Sequence, residues 1–135
     1  MIQLHNKKFK PFITKEEINS AVLKMAEKIQ LDYEGMNPVF IGVLNGSFLI
    51  VADLVREFTG NCEVSFVKMA SYEGINTTGV VNELIGLNHS IENRHVVIIE
   101  DIVDSGNTVE KLVGLIRKDE PASVKIATLL YKPKA

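Results

Sequence analysis

The sequence predicts an α/β fold, a doubly wound and mostly parallel sheet flanked by helices. Three observations lead there. Short apolar runs alternate with stretches of helical periodicity, the pattern of repeated βαβ units. The run Val96-Val97-Ile98-Ile99 is continuously β-branched, as expected of a strand covered on both faces. The apolar runs at Val39 and Val96 each lead into a turn rich in Gly, Asn or Ser and then into a helix.

The first element in the reading is a helix. Thr14-Lys15-Glu16-Glu17 has the capping-box pattern, and Ile18, Ala21, Val22, Met25, Ala26 and Ile29 recur along one face, with Lys24, Glu27 and Lys28 mostly opposite. Gly35 to Pro38 ends it. A buried strand follows from Pro38 to Leu44, then the turn Asn45-Gly46-Ser47 and a helix from Phe48 to about Phe58. Val64 to Met69 reads as the next strand, Ala70 to Thr78 as a polar mobile loop, and Val80 to Leu84 as a short edge strand. The Val96 strand leads to a third helix carrying Val109, Leu112, Val113 and Ile116 on one stripe; Pro121 separates it from a last strand, Val124 to Leu130. In such sheets ligands bind beyond the carboxyl ends of the strands, which singles out residues 44–47, 68–72, 100–108 and 131–132.

Composition bounds the function. The chain has 135 residues, 46% hydrophobic and 24% charged, suited to one soluble domain spanning 1–135. Its net charge of −2 argues against general nucleic-acid binding, which favours a basic excess. The single Cys62 permits neither an internal disulfide nor a thiolate zinc cluster, and within its alternating run it reads as a small strand residue. His5, His89 and His95 lack metal-ligand spacing. The segment Met1 to Lys10 is polar and basic without the apolar core of a signal peptide, and no apolar stretch approaches the roughly 20 residues that cross a bilayer. The expectation is a cytoplasmic protein with no membrane partner.

The chemistry concentrates in residues 100–108. Three carboxylates, Glu100, Asp101 and Asp104, fall where a hydrophobic strand ends. Like charges this close call for a cationic or protic partner, and Mg²⁺ and sugar hydroxyls both suit hard oxygen acceptors. Ser105-Gly106-Asn107-Thr108 then opens a helix, where free N–H groups, two hydroxyls and a glycine make an anion cradle. Acids beside a phosphate cradle point to a phosphorylated sugar. A helix-dipole role accounts for one carboxylate but not for three.

The stretch Val97-Ile98-Ile99-Glu100-Asp101-Ile102-Val103-Asp104-Ser105-Gly106-Asn107-Thr108 resembles the phosphoribosyl-diphosphate (PRPP) signature of type I phosphoribosyltransferases, above all the hypoxanthine (hypoxanthine-guanine) phosphoribosyltransferases. The similarity runs through nearly the whole chain in order. Leu44-Asn45-Gly46-Ser47-Phe48 resembles the pyrophosphate loop of that family, Ser71-Tyr72 its lid, and Leu129-Leu130-Tyr131-Lys132 the segment holding its purine-contacting lysine.

The resemblance implies transfer of phosphoribose from PRPP to hypoxanthine or guanine, giving IMP or GMP and pyrophosphate in purine salvage. Glu100 and Asp101 would hold the ribose hydroxyls, directly or through Mg²⁺, the implied cofactor. Asp104 would be the general base. Ser105, Gly106, Asn107 and Thr108 would bind the 5′-phosphate; Leu44, Asn45 and Gly46 the pyrophosphate. Ser71 and Tyr72 would close over the reaction, and Lys132 and Ile102 would contact the purine. A positively charged Lys132 would favour a 6-oxo group over the amino group of adenine. The family forms dimers and tetramers, so a homodimer or homotetramer is implied.

Two features depart from the family pattern. Asn45 stands where many relatives have lysine, removing a cation near pyrophosphate. The chain stops at Ala135, whereas relatives continue into a segment that completes the purine pocket, so the expectation is a C-terminally truncated domain with an incomplete hood. The other function classes weighed are a non-catalytic PRPP- or nucleotide-binding module of the same fold and, far below it, a phospho-accepting receiver domain, whose acids would be spread over two strands.

Overall fold

A computed structural model describes residues 2–4, 7–9, 14–44, 46–73, 80–87, 89–103 and 107–131. Ten elements are present among them: β1 (Ile2–Leu4), β2 (Lys7–Phe9), α1 (Lys15–Tyr33), β3 (Val39–Val43), α2 (Phe48–Glu57), β4 (Glu63–Glu73), β5 (Val80–Ile85), β6 (His95–Val103), α3 (Asn107–Arg117) and β7 (Ser123–Tyr131).

Helix α1 begins as its sequence dictates. Thr14 Oγ1 accepts from the Glu17 N–H at 3.1 Å and donates to Glu17 Oε1 at 3.1 Å, closing the first turn. The buried stripe is Val22, Ala26, Ile29 and Tyr33, so the helix runs further than the apolar pattern suggested, while Ile18 at its start is 37% exposed. Gln30 clamps α1 to the end of α2 through both amide atoms, donating to Thr59 O at 3.1 Å and accepting from Thr59 N at 2.8 Å.

The main sheet has the order β5-β4-β3-β6-β7. β3 pairs parallel with β4 and with β6, β6 pairs parallel with β7, and β5 alone is antiparallel. The period-two alternation of the strands sorts the core into two layers. Phe40, Val97 and Ile99 pack with α1 and α2; Val39, Ile41, Val67, Val96 and Ile98 pack with Leu112 and Ile116 of α3. Both faces of the central strands are therefore covered, which is why Val96 to Ile99 needed no polar residue. Gly42 lies where a Cβ would stand 2.7 Å from Val51 Cγ2 and 2.9 Å from Phe66, so glycine lets α2 seat close against β3.

Two expectations are corrected. The segment from Ala70, read as loop because it is polar, continues β4 as far as Glu73; pairing from Lys68↔Ile85 to Glu73↔Val80 supplies the backbone bonds that apolar alternation did not advertise. The register of β3 with β4 ends at Val43↔Val67, so this part of β4 and β5 form a two-stranded ribbon beyond the end of β3. At the N-terminus, β1 and β2 pair antiparallel from Ile2↔Phe9 to Leu4↔Lys7. Three-residue strands are too short to show a period, and the sequence reading found none there.

Candidate active site

The chain leaves β3 for α2 and β4 on one side, while β6 pairs on the other side of β3. The strand order thus reverses between β3 and β6, the crevice where open parallel sheets bind ligands. Leu44, Gly46 and Ser47 stand at one wall, and Glu100 and Asp101 at the other.

On the β3 wall, Leu44 N donates to Val67 O at 2.8 Å, carrying the strand register one residue into the turn. Ser47 closes that turn. Its N–H donates to Val43 O at 3.3 Å and its hydroxyl donates to the same oxygen at 2.6 Å. Its side chain is fully buried, and it makes no side-chain cap to α2 although it holds the cap position.

On the β6 wall, strand alternation places Glu100 in the row of Val96 and Ile98 and Asp101 in the row of Val97 and Ile99. The Asp101 N–H donates to Glu100 Oε1 at 3.1 Å, and the Thr128 hydroxyl of β7 reaches Asp101 O at 3.5 Å. Glu100 is half-buried. Desolvation above all, then the hydrogen bond and negative charge of the Asp101 side chain, push its carboxyl up to about 7, against the opposing pull of the Asp101 N–H. Such a group gives up its proton more readily when a cation arrives beside it.

The two walls meet at one point. A Cβ on Gly46 would lie 2.5 Å from Asp101 Oδ2 and 2.9 Å from its Cγ and Oδ1, so only glycine admits the carboxylate against the turn. The structure therefore brings together Gly46 and Asp101, which are far apart in sequence, with Leu44 and Glu100 beside them. Ser71 and Tyr72 fall on the β4–β5 ribbon, Ile102 on β6 and Asn107 and Thr108 in the first turn of α3. Asn45, Asp104, Ser105, Gly106 and Lys132 lie outside the described residues. The sequence placed Ser47 at a strand end and within the stretch resembling the pyrophosphate loop but gave it no role of its own.

Comparison with known proteins places the chain in a family. The phosphoribosyl transferase domain family matches residues 13–135. A hypoxanthine-guanine phosphoribosyltransferase of Streptococcus pneumoniae (strain ATCC BAA-255 / R6) is 38% identical over 132 residues, 97% of this chain and 73% of that protein. This chain belongs to the hypoxanthine-guanine phosphoribosyltransferase family. The relative from Staphylococcus aureus (strain Mu50 / ATCC 700699) is 33% identical over 131 residues, again 73% of its length. Among solved structures, a hypoxanthine-guanine phosphoribosyltransferase from Bacillus anthracis superposes with a TM-score of 0.81 at 30% identity, covering 94% of this chain and 74% of that one. The enzyme of L. donovani gives 0.74 at 37% identity, covering 91% and 72%. The doubly wound sheet is thus the type I phosphoribosyltransferase fold.

Other titratable residues have structural surroundings. His95 Nδ1 lies 2.8 Å from Ser123 Oγ and its ring meets Tyr33 edge-on at 6.5 Å. Burial, then the charge of Asp32, pushes the Tyr33 phenol up, and its buried hydroxyl has no partner. Burial also pushes the half-buried Cys62 thiol up, away from thiolate reactivity. Among the described residues, no three His, Cys, Asp or Glu side chains gather as a metal site, and no helix is long and apolar enough to cross a membrane. A groove of about 530 Å³ lies between α1 and β7 over Met25, Tyr33, Val97 and Ala127 and includes neither site wall.

Proposed function

We propose that this chain transfers the 5-phosphoribosyl group of PRPP to the ring nitrogen of a 6-oxopurine, hypoxanthine or guanine, giving IMP or GMP and pyrophosphate in cytoplasmic purine salvage. The observation that carries the reading is the Asp101 carboxylate seated against Gly46 at the β3–β6 crevice, with Glu100 adjacent and held near neutrality. Family membership supports it, since the relatives named above bear that activity in their names.

The roles are those the family resemblance implies, and the contact of Gly46 with Asp101 supports the ones at the crevice. Glu100 and Asp101 hold the ribose hydroxyls and would be the residues that hold Mg²⁺. The donor set fits that ion, which takes one or two carboxylates and completes its shell with water and phosphate oxygens. When bound, Mg²⁺ neutralises the charge that develops on departing pyrophosphate. Leu44, Asn45 and Gly46 bind that leaving group; the Leu44 N–H is already given to Val67 O, so Leu44 serves by fixing the start of the turn. Asn107 and Thr108 open α3, where the first N–H groups of a helix suit the 5′-phosphate; Ser105 and Gly106, which precede them in sequence, share that role. Asp104 accepts the purine proton as the nitrogen attacks the anomeric carbon. Ser71 and Tyr72, on the ribbon past the end of β3, exclude water from the oxocarbenium-like state. Lys132 donates to the purine 6-oxo oxygen, and Ile102 also contacts the purine. Residues 1–135 act as one domain, assembled as a homodimer or homotetramer.

The test is incubation of the 135-residue chain with PRPP, Mg²⁺ and hypoxanthine or guanine, following nucleotide and pyrophosphate. Purine-dependent pyrophosphate release is expected, and Asp104→Asn should cut turnover while sparing PRPP binding. Calorimetric PRPP binding with no purine-dependent release at any enzyme concentration would replace this reading with that of a binding module.

A further inference from the structure

We infer that Ser47 is a positioning residue for the pyrophosphate end of the substrate, acting through the turn that ends in Gly46; the inference rests on the function proposed above. A serine at a helix cap ordinarily takes an extended backbone and accepts a bond from the second or third helical N–H. Ser47 does neither. Its φ and ψ of −90° and −6° are helical, and its side chain makes no cap bond to α2. The hydroxyl points backwards instead and donates to Val43 O at 2.6 Å, where the Ser47 N–H arrives at 3.3 Å.

The consequence is a closed loop of bonds. Val43 is the last residue of β3, and Leu44 N is tied to Val67 O of β4 at 2.8 Å. Ser47 O accepts the first bond of α2 from Val51 N at 2.9 Å. The hydroxyl thus fastens the start of α2 to the end of β3, on either side of Gly46. Gly46 in turn meets the Asp101 carboxylate. The long backbone bond alone is a weak closure, and the short hydroxyl bond is the stronger of the two. Because the serine spends its hydroxyl on the turn, the first N–H groups of α2 also go without a side-chain acceptor. Ser47 touches no reacting atom in this scheme. It sets where Gly46 stands relative to Asp101.

The experiment compares wild type, Ser47→Ala and Ile29→Val in the full chain. Ile29 is buried in α1 away from both walls, so its variant reports ordinary destabilisation. Affinity for pyrophosphate with Mg²⁺ is measured by calorimetry and KM for PRPP and for hypoxanthine by initial rates. Losing one buried hydrogen bond corresponds to a three- to tenfold effect. Ser47→Ala should weaken pyrophosphate binding and raise the PRPP KM by that factor, leaving the hypoxanthine KM unchanged. Amide exchange at Gly46 should quicken by a similar factor without ligand. Ile29→Val should move none of these. Equal pyrophosphate affinity in wild type and Ser47→Ala, or equal losses in Ser47→Ala and Ile29→Val, overturns the inference and leaves the functional reading intact. A wild-type chain that binds no pyrophosphate overturns both.

Discussion

Glu100→Gln should stabilise the ligand-free protein in a pH-dependent way. The carboxyl is raised from an ordinary 4.5 to about 7, foremost because it is taken out of water. The folded protein therefore holds a proton between those values that the unfolded chain has released. Stability contributed by that proton is complete below about pH 4.5, declines as pH rises through the window, and is gone above about 7. Taken at face value the rise corresponds to roughly 3.4 kcal/mol. Glu100 is only half-buried, and screening by solvent cuts this to about 1.5 kcal/mol. Glutamine keeps the oxygen that accepts from Asp101 N but never ionises. The two proteins should then melt together at pH 4.5, and the variant should melt roughly 5 °C higher at pH 8. Thermal unfolding of both between pH 4.5 and 8 without divalent cation checks this. A gap that stays constant with pH, or a variant that melts lower at pH 8, would refute the claim that the crevice disfavours this charge.

Three further outcomes follow from single contacts. Gly46→Ala should lower PRPP and Mg²⁺ affinity by about 10- to 100-fold with little loss of stability, because the new methyl would stand 2.5 Å from Asp101 Oδ2 and must displace it; titration calorimetry beside a melting curve separates the two effects. Gly42→Ala should cost about 1–3 kcal/mol in urea unfolding, since its Cβ would press on Val51 and Phe66, and a midpoint equal to wild type would show that α2 can back away. Tyr33→Phe should leave stability unchanged or raise it by about 1 kcal/mol, because it removes a buried hydroxyl that has no partner; a loss would mean that the hydroxyl is bonded in solution.

The residues themselves carried much of this. The alternation of apolar runs and helical stripes foretold three helices and the parallel sheet, because burial on both faces of β3 and β6 leaves no freedom for polar residues there. Thr14 foretold the start of α1, since a capping bond is local and needs only neighbours in sequence. Glu100 and Asp101 stood out because carboxylates at the end of an apolar strand are costly without a partner. Tertiary structure decided what depends on distant pieces meeting. The polar residues from Ala70 to Glu73 became strand only because β5 was there to pair with them. Gly46 was legible as a turn residue, yet its need to be glycine comes from Asp101 on another strand. Ser47 looked like one more turn residue until the end of β3 received its hydroxyl. Local chemistry is written along the chain, whereas the raised Glu100 carboxyl and the crowding at Gly46 arise only when strands β3 and β6 are laid side by side and water is removed from between them.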